Sequence, residues 1–276
     1  MNEYIKKSEW PIILIIFVLL LIGLLLWLCF DETKDFGLNF FTEMLGSAVA
    51  IFIIDRLIKN REEVRSIPQK LAAYEDVRLY TSRYMTFWID TFRDSVPEND
   101  PETIEDFFSE NGMSKILQYL YLDSQANVLP SRKWYNWIID KAKEFQENGN
   151  KILDRYSYNL DPEAFGYLHQ LTESSFNSFL LMMPAICQTD ALERTPRVRV
   201  LGNYSISPEK DYEAILGLLK WCNKAYNRLE KYDPSIKKVS EYAPMKDKKM
   251  PPKCMIPNSI LIVQMEQWQK FIESQT

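Results

Sequence analysis

Reactive side chains are scarce in this sequence. It holds one histidine and four cysteines, and its 8 glycines form no phosphate-binding loop. No cysteine pair has metal-ligand spacing, and no Gly-x-Ser-x-Gly elbow presents a nucleophile. His169 lies between Leu168 and Leu171 without a second histidine or a cysteine pair, so it reads as a partly buried structural residue. The neighbouring carboxylates Glu75 with Asp76, and Glu105 with Asp106, point in different directions on a helix, which suits solvation better than shared proton chemistry. Cys187, Cys222 and Cys254 are unpaired in spacing, as in a reduced compartment, and read as small core residues. The expectation is therefore no enzyme, with no catalytic, cofactor-binding or metal residues, no cofactor and no small-molecule substrate.

Bulk positive charge is also missing. A net charge of −5 excludes a protein that coats nucleic acid through its overall charge. With 14 prolines, 8 glycines and 13% aromatic residues the chain is neither collagen-like nor a disordered acidic tail. Its 46% hydrophobic and 26% charged content are ordinary, but the distribution is not. Nearly all the uncharged apolar sequence lies between Trp10 and Ile54, and from Arg56 onward a charge appears every few residues.

No charged residue occurs from Trp10 to Phe30, a run long enough to cross a hydrocarbon core of about 30 Å. Trp10 and Trp27 sit near its ends as interfacial aromatics do. A cleavable signal peptide is the competing reading. It ranks second because the apolar run is too long and no small-residue cleavage site follows. After the short acidic loop 31–35, a second span runs from Phe36 to about Ile54 and meets Asp55, Arg56, Lys59, Arg61 and Arg65. A loop this short permits only a helical hairpin. Lys6 and Lys7 precede the first span and the arginines follow the second, which places both termini in the cytoplasm.

The second span differs in kind from the first. It contains Asn39, Thr42, Glu43, Gly46, Ser47, Ala48 and Ala50, and at about 100° per residue Asn39, Glu43, Gly46 or Ser47, and Ala50 share one helix face. Small residues let helix backbones approach, and polar ones bond across the contact. Glu43 should face a partner helix or a water-filled space, or carry its proton. The face either holds a hairpin or homo-oligomer together or takes part in conduction. Asp55 and Lys59, four residues apart, form an ordinary interfacial pair.

The expected fold is all-α: an N-terminal two-helix transmembrane hairpin followed by an all-α cytoplasmic helical domain. The boundaries read as a cytoplasmic terminus 1–9, spans 10–30 and 36–55, an external loop 31–35 and a cytoplasmic domain 56–276. Ser66-Ile67-Pro68 resembles a helix restart, and the helix it opens, to about Ser95, carries Leu71, Tyr74, Val77, Tyr84, Met85, Trp88, Ile89 and Phe92 as a core stripe. Start signals at Asp100, Ser131, Asp161 and Ser207 predict further helices, the last three reaching about Tyr158, Met183 and Tyr232. A final amphipathic helix covers about Asn258 to Ser274, and only Val198–Leu201 alternates like a strand.

Lys237, Lys238, Lys246, Lys248, Lys249 and Lys253 stand against only Glu241 and Asp247. Interleaved with Met, Pro and Tyr, they read as a mobile basic loop and as a candidate contact for anionic lipid or nucleic acid, or as a solvated loop with no ligand.

Thr42, Glu43, Gly46, Asp55 and Arg56, followed by Arg61-Glu62-Glu63 and the segment Ile67–Arg78, resemble a pattern of two-span bacterial inner-membrane proteins. Those proteins carry a Thr-Glu-Leu-like triplet, a glycine and an Asp-Arg at the cytoplasmic boundary. Some proteins of this architecture are toxic effectors of antiphage systems, including retrons. The resemblance covers about 40 residues. It implies a multi-pass protein of the bacterial inner membrane that perturbs the bilayer, by pore formation or depolarisation, and is restrained by its cytoplasmic domain or a partner. The partners implied are the lipid bilayer, further copies of the chain, and a regulatory protein or nucleoprotein complex. A membrane-anchored adaptor or sensor without pore activity is the alternative, and an enzyme with an unrecognised site ranks third.

Overall fold

Apolar residues recurring at helical spacing build almost all of the structure, a computed structural model in which helix accounts for 74% of residues and strand for 3%; the fold is all-α. The structure describes residues 2–29, 34–247 and 252–275, with side chains described over 14–28, 35–247 and 252–273. The described helices are α1 (Asn2–Cys29), α2 (Lys34–Ser95), α3 (Ile104–Phe107), α4 (Glu110–Tyr119), α5 (Trp134–Tyr156), α6 (Pro162–Thr172), α7 (Ser175–Glu193), α8 (Glu209–Leu229) and α9 (Asn258–Gln275). A two-residue hairpin pairs β1 (Gln125–Ala126) with β2 (Arg132–Lys133), and Leu201–Tyr204 forms a 3-10 turn. Two units result, Met1–Ile67 and Pro68–Thr276.

In the first unit the apolar side chains point outward. α2 is long and apolar enough to cross a membrane, and its most apolar stretch is only 11% buried, the reverse of a soluble core helix. Leu14, Phe17, Leu25, Ile51, Phe52 and Ile54 are exposed in the same way. Of the expected external loop 31–35, residues 31–33 lie outside the described residues, and Lys34 and Asp35 already belong to α2.

The expected restart at Pro68 is not there. α2 runs through Pro68 without a break. Ser66 caps nothing; its hydroxyl donates to Glu63 O at 2.8 Å, back into the preceding turn. A proline inside a helix removes one ladder bond, at about 3 kcal/mol, and packing of the turns beyond it can offset that cost. Those turns are well packed: Tyr74, Val77, Tyr84, Met85, Trp88 and Phe92 of the expected stripe are buried.

In the second unit α2 lies in the core. Phe145 of α5 meets Tyr80, Tyr84 and Phe87, Phe176 of α7 meets Trp88, and Trp221 and Tyr226 of α8 meet Tyr74. α6 packs against α5 and α8 through two glycines, since a Cβ on Gly149 would overlap Thr172 and one on Gly217 would overlap the Tyr167 ring.

Several helix boundaries depart from the start signals. Thr103, not Asp100, caps α3, its hydroxyl accepting from Asp106 N at 3.1 Å. Asp100 is used otherwise, as described below. Ser131 and the two residues after it do not open α5: β2 takes Arg132 and Lys133, and the helix starts at Trp134 without a side-chain cap. The single helix expected from Asp161 to about Met183 is two, because Ser174 ends the first and caps α7 with its hydroxyl on Asn177 N at 2.9 Å. α4 has no counterpart among the expected helices. The Val198–Leu201 stretch contributes one isolated bridge, Val200 to Tyr121.

The described residues of the segment after α8 have little regular structure and are pinned at several points. Tyr74 Oη donates to Lys237 O (2.6 Å), Arg93 Nη2 to Ala243 O (2.8 Å), and Cys254 N to Asp94 O (2.9 Å). Asp100 is the clasp: its buried carboxylate accepts from Arg93 Nε (2.8 Å) and from Met245 N (3.0 Å). Removing one partner of a buried pair leaves the other uncompensated, so Asp100→Ala should lower the unfolding free energy by about 3 kcal/mol. Chemical denaturation of the detergent-purified chain measures this, and a loss under about 1 kcal/mol would show that the clasp does not hold the segment.

Candidate functional site

Two faces of α2 diverge within the Met1–Ile67 unit. Gly37 is buried because the backbone of α1 at Leu26 and Trp27 occupies the place a Cβ would fill. Gly23 of α1 answers it, with Phe40 at 3.0 Å and the Phe41 backbone at 3.2 Å from its Cβ position. Ala48 continues this face at 6% exposure. Gly37, Phe40 or Phe41, Met44 and Ala48 recur at three- and four-residue spacing, so α1 takes one stripe of α2.

The polar stripe lies elsewhere. Asn39, Thr42, Glu43, Gly46, Ser47 and Ala50 are all exposed, and nothing comes within 4 Å of a Cβ placed on Gly46. Thr42 satisfies itself, its hydroxyl donating to Leu38 O and Asn39 O at 3.0 Å each. Glu43 has no hydrogen-bond or ion-pair partner among the described residues. Elsewhere on this stretch of α2 the exposed side chains are apolar, Leu45, Val49 and Ile53 among them. One small, polar, carboxylate-bearing stripe therefore interrupts a hydrocarbon surface. Where the apolar stretch ends, Lys59 Nζ meets Asp55 Oδ2 at 2.8 Å, the pair expected from the spacing.

The lysine-rich segment gives a different picture from a mobile loop. Lys237, Lys238, Lys246 and Lys253 are exposed, while Lys248 and Lys249 lie outside the described residues. Lys238 sits 4.9 Å over the Tyr226 ring, and the backbone of the segment is held at Lys237 by Tyr74, at Met245 by Asp100 and at Cys254 by Asp94. The pinning arises because Val239, Cys254 and Ile256, interleaved with the charges, are buried.

The remaining candidate chemistry is largely structural. His169 is exposed rather than partly buried; it stacks on Phe165 with centroids 6.4 Å apart in the last turn of α6. Leu168 and Leu171 face the core on either side of it, so the neighbours that suggested burial are on another face of the helix. Asp76 is not simply solvated, because Arg155 Nη1 and Tyr156 Oη donate to it at 3.1 and 2.8 Å. Glu75 accepts from Arg78 Nε at 2.9 Å, which holds its carboxyl below the usual range. Burial pushes the Cys222 thiol up to about 12 and raises that of Cys254, so both stay protonated and inert. Cys187 is half-buried, with Arg199 Nη1 at 2.6 Å from its sulfur.

Sequence reasoning missed the role of Gly37. Its signal was available, since Gly37 and Ala48 share a face with Gly23's partners, but the polar stripe drew attention to Gly46 and Ala50 instead. No family model, curated protein or solved structure matches the chain.

Proposed function

We propose that the chain is a membrane-perturbing effector of a bacterial antiphage defence system, anchored in the inner membrane by a two-helix hairpin with both termini cytoplasmic, and restrained by its cytoplasmic domain or a partner. The observation that carries this reading is the exposed stripe Asn39, Glu43, Gly46, Ser47 and Ala50 on an otherwise apolar helix. An unpartnered carboxylate facing lipid costs about 2.5–3.5 kcal/mol on insertion scales, a cost that selects for a function or a partner. The resemblance of Thr42, Glu43, Gly46, Asp55 and Arg56 to the two-span pattern supplies the class of effector.

The test is membrane potential. On induced expression a potential-sensitive dye should report depolarisation, and Glu43→Gln or Gly46→Leu should abolish it while membrane insertion is retained. If the induced chain inserts and the potential holds, the effector reading fails. The second reading is a membrane-anchored adaptor or sensor, favoured by the size of the Pro68–Thr276 unit and by the pinning of its lysine-rich segment as a surface feature. That reading predicts full insertion, no depolarisation and no phenotype for Glu43→Gln.

A further inference from the structure

In the Pro68–Thr276 unit, α2 and α5 leave two adjoining cavities that share Arg83 and Phe145. The first, about 180 Å3, is lined by Arg83, Lys151 and Arg155 against the single acid Asp76, on a chain whose net charge is −5. Asp76 is taken up by Arg155 and Tyr156, and Lys151 stands 3.9 Å from the exposed Glu147. Arg83 is exposed and has no ion-pair partner among the described residues. Tyr80 also lines this cavity, and its phenol is a hydrogen-bond donor there. Burial raises the Tyr80 phenol far above neutrality, which keeps that proton available.

The second cavity, about 410 Å3, has a different chemistry. Phe87, Trp134 and Trp137 wall it, with Ser82, Thr86, Asn127 and the carboxylates Asp90, Asp94 and Glu144 at its polar positions, Glu144 being taken up by Lys141 at 2.5 Å. Ser82 Oγ is buried without a hydrogen-bond partner. Lys141 lies 4.8 Å over the Trp137 ring, a cation that a stacked planar ligand would displace.

We propose that this groove binds a nucleotide, with its phosphates at Arg83, Lys151, Arg155 and the Tyr80 hydroxyl and its base against Trp137 and Phe87. Guanidinium and ammonium groups pair with phosphate oxygens through charge-assisted bonds, and aromatic faces stack on bases of any sequence. Asp90 adds a preference, since its carboxylate accepts from the exocyclic amine that adenine and cytosine carry and uracil lacks. The nucleotide is held as a ligand, with no bond made or broken. A phosphate-only ligand would leave the aromatic cavity empty, and an apolar one would leave Arg83 unpaired.

The inference does not rest on the membrane reading, and the two fail separately: membrane potential tests one, equilibrium dialysis of the detergent-purified full chain the other. Labelled ATP and CTP should bind saturably, UTP several-fold more weakly, and pyrophosphate at least about tenfold more weakly than ATP. Arg83→Glu and Lys151→Glu, both on exposed residues that can change without disturbing the core, should each weaken ATP binding by about tenfold or more, and Trp137→Ala by about tenfold. Unchanged thermal melting of the two charge-reversal variants keeps the comparison clean if Trp137→Ala unfolds. Absence of saturable nucleotide binding overturns the proposal. So does ATP binding that survives Arg83→Glu and Lys151→Glu, and pyrophosphate bound as tightly as ATP removes the base from the aromatic cavity.

Discussion

Asp211→Asn should stabilise the protein by about 4 kcal/mol near pH 8, by about 1.5 kcal/mol near pH 5 and hardly at all near pH 3. Asp211 stands in the first turn of α8 at 4% exposure, beneath Tyr84 and Ser174. Burial pushes its carboxyl up to about 7 from an ordinary value of 3.8, against the opposing pull of hydrogen bonds from Ser174 and Tyr84. A raised acid binds its proton more tightly in the folded chain than in the unfolded one. Between about pH 4 and about pH 7 the folded state therefore carries more protons, and stability falls as pH rises through that window. Three units at about 1.4 kcal/mol each set the size. The amide mimics the protonated acid at every pH, so the variant's melting temperature should be flat where the wild type declines. Among the described residues Asp211 is a carboxyl that burial raises into this window. A wild-type melting temperature that does not fall from pH 5 to pH 8, measured by scanning fluorimetry in detergent, would remove the argument.

The helical character of the chain was legible because its apolar residues recur at helical spacing over long stretches. Tyr74, Val77, Tyr84, Trp88 and Phe92 identify a buried face from sequence alone, and α9 spans Asn258–Gln275 much as its amphipathic pattern suggests. Boundaries were less legible, since one residue type serves two uses. Asp161 precedes a proline as a capping acid would, yet its carboxylate accepts from Trp221 Nε1 (2.9 Å) and Arg228 Nη2 (2.8 Å) on α8 and caps nothing. Asp100 likewise serves Arg93 and Met245 across the unit. Long-range partners of this kind leave no periodic trace. Pro68 shows the converse: a strong local stop signal is overridden by packing of the turns that follow it.

The candidate membrane face was legible as composition, because a carboxylate in an apolar run is conspicuous at any register. What could not be read was which stripe of α2 meets α1. Gly37 decides it, and a glycine's contribution is the absence of a side chain, visible only once Leu26 and Trp27 are in place. The groove between α2 and α5 was illegible for a related reason. Arg83, Lys151 and Arg155 are scattered over two helices and read as solvated charges until the helices bring them to one cavity.

The largest consequence of that stripe assignment concerns self-association. The proposed hairpin has two helices and encloses no water path, so the proposed effector requires several copies. Since α1 packs at Gly37, and Ala48 on the same side is buried, the stripe Asn39, Glu43, Ser47 and Ala50 remains free to meet the same stripe of a neighbouring chain. Copies packed there shield Glu43 from lipid, and Gly46 and Ala50 let their backbones approach. With Cys29 and Cys187 replaced, Ser47→Cys or Ala50→Cys should give crosslinked chains as the main product on oxidation in native membranes. Adding Gly46→Leu should reduce that product severalfold, because the branched side chain fills the open space over Gly46 through which the helices close. A cysteine at Leu45, exposed and about 140° around the helix from the stripe, sets the background of random collision. Crosslinking at Ser47 or Ala50 no higher than at Leu45 would mean that the stripe meets no second copy, and the structural basis for a pore would be gone.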